Sequence, residues 1–327
     1  MHAAYKKQED PHRGDAITAL NSKPSKPFKF KKHLVHLFLL PALLLYVVFQ
    51  IYPILAAFYN SFFDFRGYVR MHFVGLNNFV KLFTESPYNE RFFNAFGHNI
   101  LYFCVVFFSE LCLAFFLALL INSVTKGREF FKFVYFAPKL LSVIVVGFLF
   151  NLILNPIHGA LNAFLRAVGL DFLTASWLGN PDTALFAIIF VSSWYGLGFS
   201  MLVYLAGLQS IPQEIYEAAK LDGASGWRML FNITIPMVMQ SIMVTVILTF
   251  IGAFETFELI YAMEGSSGSP YYATDVLTTY FYRLAFGSIG SNSSIGLGSA
   301  LAVILFLLVA CASALLLVFF RKKEVDY

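Results

Sequence analysis

The sequence predicts an all-α integral membrane protein: six transmembrane helices, both termini cytosolic, and a cytosolic helix-turn-helix loop between the fourth and fifth spans. Three observations predict it. The 327 residues are 58% hydrophobic and only 13% charged, against roughly a quarter charged in an ordinary soluble domain. The apolar residues gather in six runs, each able to supply the roughly 20 helical residues that cross a hydrocarbon core about 30 Å thick. The lysines and arginines fall mostly on one side of the runs, above all in the two tails, which sets orientation.

Taken in order, the first thirty or so residues are polar, basic and proline-containing. They carry no apolar core of signal-peptide length and read as a disordered cytosolic tail, residues 1–33. The membrane-spanning body covers 34–320. Its first run, 34–63, contains Pro41, Gln50 and Pro53 and is expected to tilt, kink or project beyond the bilayer. The others are 97–121, 133–154, 184–206, 233–259 and 297–320, and residues 321–327 form a second cytosolic tail. Unbroken apolar runs call for helices, because barrel strands would alternate in segments of about ten residues. Cys104, Cys112 and Cys311 fall inside apolar runs without disulfide or metal spacing and are expected to pack inertly.

Placing the N-terminus in the cytosol puts sixteen of the 23 lysines and arginines on that side and six on the other, with Lys139 inside the third span. The polar stretch 210–236 then lies in the cytosol. Ser210 with Gln213 has the spacing of a capping box, and Pro212 suits a first turn, so a helix is expected to begin near Ile211. Gly223 is placed to end it in the left-handed region. Ser225 is placed to cap a second helix that Pro236 interrupts or redirects.

Within that stretch the spacing Glu217-Ala218-Ala219, Gly223, Ile233 and Ile235-Pro236 resembles the EAA motif of ABC-importer membrane subunits, with isoleucine where that family most often has leucine. The run 73–79, Phe-Val-Gly-Leu-Asn-Asn-Phe, is similar to the first outer loop of the maltose-type, carbohydrate-uptake branch, and 254–261 to its fifth-helix signature. The segment after Tyr261 departs from that branch's Thr-Gly-Gly-Gly-Pro run but keeps its glycines and proline.

The resemblance implies a multi-pass subunit of a bacterial cytoplasmic membrane that imports a sugar by alternating access. It implies a second homologous permease subunit, an ABC ATPase dimer and an extracytoplasmic solute-binding protein as partners, besides membrane lipid. In that reading Glu217, Ala218, Ala219, Gly223, Ile233 and Pro236 form the ATPase-coupling element: small alanines for close approach, a carboxylate for a basic partner residue, a glycine for the turn. No phosphate-cradling G-x-x-x-x-G-K-[ST] run occurs in the chain. ATP and Mg are therefore expected in the partner ATPase and no cofactor in this chain. An ordinary connecting loop is what an isolated Glu-Ala-Ala would signify.

Ionisable groups inside spans cost about 2.5 to 3.5 kcal/mol each at a helix centre on insertion scales, so they are the next candidates for function. Glu110 lies mid-way along the second run and Lys139 early in the third; they pair only if the spans are offset, and otherwise Lys139 snorkels to the inner interface. Glu255 and Glu258, three apart, are expected on neighbouring parts of one helix face. With Phe254, Phe257 and Tyr261 they offer carboxylates for sugar hydroxyls beside aromatic faces for C–H surfaces. Asn151, Asn155, Trp194 and Tyr195 are further pathway candidates. The competing reading sets both glutamates at the outer headgroup level within an aromatic belt.

Absences sharpen the expectation. No arginine falls within a run, which favours a neutral sugar over a phosphate-bearing solute. No catalytic nucleophile–base arrangement, metal cluster or nucleic-acid signature is present, and the two N-x-[ST] matches, at Asn232 and Asn292, are chance-level. The rival readings are an ion-coupled secondary transporter working through Glu110, Lys139, Glu255 and Glu258, and a membrane scaffold that transports nothing.

Overall fold

A computed structural model of the chain describes residues 32–124, 126–287 and 293–321. The expected tails, apart from 32, 33 and 321, lie outside the described residues, as does Asn292 of the second glycosylation match. The chain divides into two compact units, Met1–Ile54 and Leu55–Tyr327.

In the first unit α1, Lys32–Tyr46, carries Pro41 inside it and leads into a π-helical turn, Val47–Ile51. The path continues as α2, Tyr52–Asn60, and Phe38–Asn60 is an apolar helical stretch of 23 residues. Proline lacks an N–H and its ring clashes with the carbonyl four residues back. Widening the helix just before Pro53 accommodates both, so the proline bulges the helix rather than ending it.

The second unit opens with a feature the all-helical expectation missed. Strands β1, Phe63–Arg66, and β2, Val69–Phe73, pair antiparallel, with Arg66 opposite Val69 and Phe63 opposite Phe73. Gly67, at φ +59°, makes the tight connection. Phe63 and Phe65 alternating with Asp64 and Arg66 was the available signal. Asn78, buried at the start of α3, Asn77–Thr84, donates from Nδ2 to the carbonyls of Ser61 and Phe63, both at 2.8 Å, and so pins the hairpin.

The second run is longer than expected: α4, Tyr88–Phe108, a π-helical turn Ser109–Ala114 and α5, Phe115–Ser123, form one helical path of 36 residues. The third run is not one span. Helix α6, Arg128–Phe136, passes into a 3-10 turn, Ala137–Leu140, and then α7, Val143–Ile153, with a 92° bend. Pro138 tightens the turn, and extended Leu141 and Ser142 carry the chain round the corner. A short α8, Ala160–Ala167, precedes α9, Pro181–Ser210, whose first turn is capped by Asn180.

Beyond α9 come α10, Gln213–Leu221, α11, Gly226–Met229, a second π-helical turn, Leu230–Thr234, and α12, Ile235–Met237. Here too the widened turn precedes a proline, Pro236, and the helix carries on through it. The break falls at Val238, a 69° bend into α13, Met239–Glu255. The chain ends with α14, Glu258–Glu264, α15, Leu277–Phe286, and α16, Ile295–Arg321. Among the described residues four helices are long and apolar enough to cross a membrane, and six result when each bent pair counts as one span.

Among the described residues buried side chains form three clusters, around Tyr102, Ile188 and Ile260, around Phe92, Phe254 and Leu301, and around Tyr204, Leu205 and Val238. Large apolar residues elsewhere stay uncovered, Phe190 at 68% and Leu315 at 71% exposure among them, as helices facing lipid or partner helices require. Cys104, Cys112 and Cys311 are free and lie on such exposed faces.

Candidate functional site

The π-helical turn Ser109–Ala114 places Glu110 between α9 and α13. Its Oε2 accepts the Ser200 hydroxyl at 2.8 Å and the Thr249 hydroxyl at 2.7 Å. Close approach to α9 is possible because position 196 is glycine: a Cβ there would sit 2.2 Å from Glu110 Oε1. A carboxyl group within an apolar helix needs such partners, because they replace the hydration it loses there. One carboxylate thus holds together the two helices that flank the 210–236 loop.

Lys139 stands in the 3-10 turn at the corner between α6 and α7. Its Nζ lies 4.2 Å from the centroid of the Tyr195 ring, a cation–π contact. The Tyr195 hydroxyl donates to the Leu141 carbonyl at 3.0 Å, so one tyrosine of α9 holds both sides of the corner. At Gly198 a Cβ would sit 2.0 Å from the Tyr135 carbonyl oxygen, so α6 and α9 touch backbone to side-chain-free backbone. Lys139 and Glu110 do not form an ion pair; Lys139, an exposed residue, lies against Tyr195. Among the described residues the ion pairs are Lys132–Glu129 and Arg283–Asp275.

Glu255 and Glu258 do not share a helix face, because the helix breaks between them. Glu255 ends α13, Thr256 is extended, and Glu258 starts α14. The Thr256 hydroxyl donates to the Tyr102 hydroxyl at 3.2 Å, and the Thr278 hydroxyl donates to the Thr256 carbonyl, so the break is held on two sides. The corner and the break bring Glu110, Lys139, Tyr195, Glu255, Phe257 and Glu258 onto the wall of one cavity of about 620 Å³.

The other pathway candidates lie elsewhere. Phe254 is buried at 2% exposure, packed between α4, α15 and α16. Tyr261 stacks on Phe257 with centroids 5.2 Å apart but is not part of the cavity wall. Asn151 Nδ2 donates to the Met263 carbonyl at 2.6 Å, tying α7 to α14. Asn155 accepts from the amides of Ile157 and His158 in a turn, and Trp194 lies against Phe150. Sequence reasoning did not place Tyr102, Ser200 or Thr249 at the site. A hydroxyl inside a span was the only signal they gave.

The 210–236 loop departs from its expected capping. Helix α9 runs on to Ser210, whose hydroxyl donates back to Gly207, so it caps nothing. Ile211 and Pro212 form an extended link and α10 begins at Gln213, whose Nε2 donates to Glu217 Oε1 at 2.7 Å. Ser225 occupies the N-cap position without a side-chain hydrogen bond. Gly223 takes φ +80° in open space, and Ala224 N–H donates to Ala219 O at 2.9 Å, closing α10 as a glycine terminus does.

Ala219 packs inward while Glu217, Ala218 and Gly223 are exposed; Ile233 and Pro236 are half-buried in the turn that returns to α13. Leu221 at 89% and Trp227 at 75% exposure stand beside them, with Phe231 stacked on Trp227 at 5.8 Å. An uncovered apolar tip of this kind on a polar loop marks a contact surface, and sequence reasoning singled out none of its three residues.

A third group clamps the loop after α14. Asp275 is fully buried and Arg283 nearly so; Arg283 Nη1 donates to Asp275 Oδ1 at 3.0 Å and to the Ser266 carbonyl at 2.9 Å, and Nη2 donates to Oδ2. Thr279 adds a hydroxyl to Oδ1 at 2.8 Å. Glu264, at the end of α14 and outside the spanning helices, has its pKa pushed up to about 7 by burial, partly offset by a hydrogen bond from Ser269.

The family described as binding-protein-dependent transport system inner membrane component matches residues 110–325. The probable ABC transporter permease protein YurN of Bacillus subtilis (strain 168) is 35% identical over 296 residues, covering 90% of this chain and 98% of that one. The multiple sugar-binding transport system permease protein MsmF of Streptococcus mutans is 33% identical, covering 88% of this chain and 95% of its own length. Among solved structures, a chain of a bacterial alginate ABC transporter, in complex with an alginate pentasaccharide-bound periplasmic protein, superposes with a TM-score of 0.70 at 25% identity, covering 90% of this chain and 96% of that one.

Proposed function

The chain belongs to the binding-protein-dependent transport system inner membrane components, and from that premise we propose that it carries a sugar or oligosaccharide through the cavity at Glu110, energised through the 210–236 loop. As a permease subunit it sits in the membrane and is not itself an enzyme. In this reading the two bent pairs are each one span, giving six, and both termini face the cytosol, as the lysine and arginine distribution supports.

The observation that carries the proposal is a mechanical path. The exposed α10–α11 tip joins α9 at one end and α13 at the other, and about 15 Å further along each helix Ser200 and Thr249 meet on Glu110 in the cavity wall. A separate ATPase dimer, binding ATP with Mg, seats the tip formed by Glu217, Ala218 and the Leu221, Trp227 and Phe231 side chains. A second, homologous permease subunit completes the translocation path, and an extracytoplasmic solute-binding protein delivers the sugar. Closure of the ATPases then moves α9 and α13 together and shifts the bundle between inward-open and outward-open populations.

Ion coupling through the glutamates finds no support in the relatives, and Glu110 is occupied by two hydroxyls. The test is reconstitution of the full complex. Expected are sugar uptake and ATPase stimulation that both depend on loaded binding protein, and a disulfide between Ala218→Cys and a cysteine in the ATPase cleft. Uptake that survives removal of the ATPase and collapses with an uncoupler overturns the proposal.

A further inference from the structure

The charges on the cavity wall are unbalanced. Glu110, Glu255 and Glu258 line it with one cation, Lys139, and with no arginine. Lys139 is committed to the face of Tyr195 at 4.2 Å rather than to a carboxylate. Glu110 is committed to Ser200 and Thr249. Glu255 and Glu258 form no hydrogen bond or ion pair among the described residues, and both are exposed, at the two ends of the helix break that turns them onto the wall. Beside them on the wall is the ring of Phe257, a side chain of the kind that covers the C–H surface of a saccharide. The cavity, at about 620 Å³, is of ligand-site size.

Two unpartnered carboxyl groups on one cavity wall attract a cation, accept hydrogen bonds from neutral hydroxyls, and repel an anion, with a strength that salt screens. We propose that this cavity ranks its ligands by charge, amine-bearing saccharides above neutral ones and both far above acidic ones, with Glu255 and Glu258 as the residues that set the order. The inference rests on the reading of the cavity as the sugar path. It also separates this chain from a structural neighbour that belongs to a transporter described as importing the acidic polysaccharide alginate: the shared fold carries over, the acidic substrate does not.

The test is equilibrium binding to the purified permease–ATPase complex in nanodiscs, without binding protein, so that its selectivity does not enter. The probes are three disaccharides of matched size: cellobiose, the glucosamine disaccharide and digalacturonate. The glucosamine disaccharide is expected to bind at least ten-fold more tightly than digalacturonate at low salt, with cellobiose between them. The gap should narrow as salt shortens the screening length from about 30 Å at 0.01 M to about 3 Å at 1 M. Glu255→Gln combined with Glu258→Gln should bring the three within three-fold of one another, and the salt series on the unaltered protein decides the matter if that variant assembles poorly. Equal or tighter binding of digalacturonate, or a preference insensitive to salt, overturns the charge order while leaving the cavity a saccharide site. Binding of none of the three at millimolar concentration overturns the cavity reading itself, and the charge order with it.

Discussion

Glu110 and Thr249 are 139 residues apart in sequence and 2.7 Å apart in space. The bond joins a widened turn in the second apolar helix to the middle of the helix that follows the polar loop, and Ser200 completes the clasp from α9. Replacing Glu110 by alanine removes both bonds and leaves two hydroxyls without their acceptor at membrane depth. Expected are a loss of about 1 to 3 kcal/mol in stability and a drop in sugar moved per ATP hydrolysed, measured by thermal unfolding in detergent and by paired uptake and ATPase assays. Gly196→Ala should reproduce part of the effect, since its Cβ would stand 2.2 Å from the carboxylate. Unchanged coupling in both variants removes Glu110 from the transmission path.

Gly223 has φ +80° and nothing within contact distance of an added Cβ. Gly223→Val therefore costs backbone strain and no clash, on the order of 1 to 3 kcal/mol, confined to the α10–α11 turn. The variant should assemble in the membrane yet uncouple ATP hydrolysis from uptake, and Gly223→Asn should do so less. Full uptake by the valine variant speaks against the turn as a coupling element.

Trp227 and Phe231 stack on each other in the open, so neither supports the interior. Trp227→Ala with Phe231→Ala should leave thermal stability within about 0.5 kcal/mol of the original and weaken association with the ATPase at least ten-fold, read by co-purification at graded concentrations. A loss of stability with unchanged association would make the pair structural.

Asp275 and Arg283 are buried opposite charges in a bidentate arrangement. Removing one partner strands the other, so Arg283→Met should cost about 3 to 5 kcal/mol, and adding Asp275→Leu should recover much of it. Thermal unfolding of the single and double variants measures the difference. A double variant as unstable as the single one shows that the ordering of the loop, not the stranded charge, dominates.

Glu264 gives the protein a pH dependence with a definite sign. Its folded pKa is about 7 against an ordinary value of 4.5, so the folded state holds a proton that the unfolded chain has already released. Stability should fall as pH rises from about 4.5 to about 7 and level off above, because ionisation is opposed only in the fold. Glu264→Gln should flatten that slope, measured as the unfolding midpoint of variant against original between pH 5 and 8. An unaltered slope assigns the dependence to another group.

The sequence by itself determined the class of this protein and the place of its polar loop. Apolar run length is a local quantity, and so is the left-handed requirement that Gly223 meets; both were readable without knowing what packs against what. The EAA spacing was readable for the same reason, since its residues are neighbours along one short loop. Capping was misread because α9 does not stop where its apolar residues do: Ser210 belongs to the helix before the loop, and a hydroxyl at the end of one helix has the same sequence signature as a cap for the next. The hairpin at 63–73 was missed because it is short and lies beside a long hydrophobic run that dominates the pattern.

What only the tertiary structure decided is the site. A 92° corner, a π-helical turn and a helix break each change the direction of a side chain without altering the apolar run that contains it. Glu255 and Glu258 line the cavity because the helix between them fails, and Glu110 holds two helices because Gly196 lets it come close. Such relationships depend on which backbones approach across a hundred residues or more, and a single chain's pattern of apolar and polar letters carries no record of that distance.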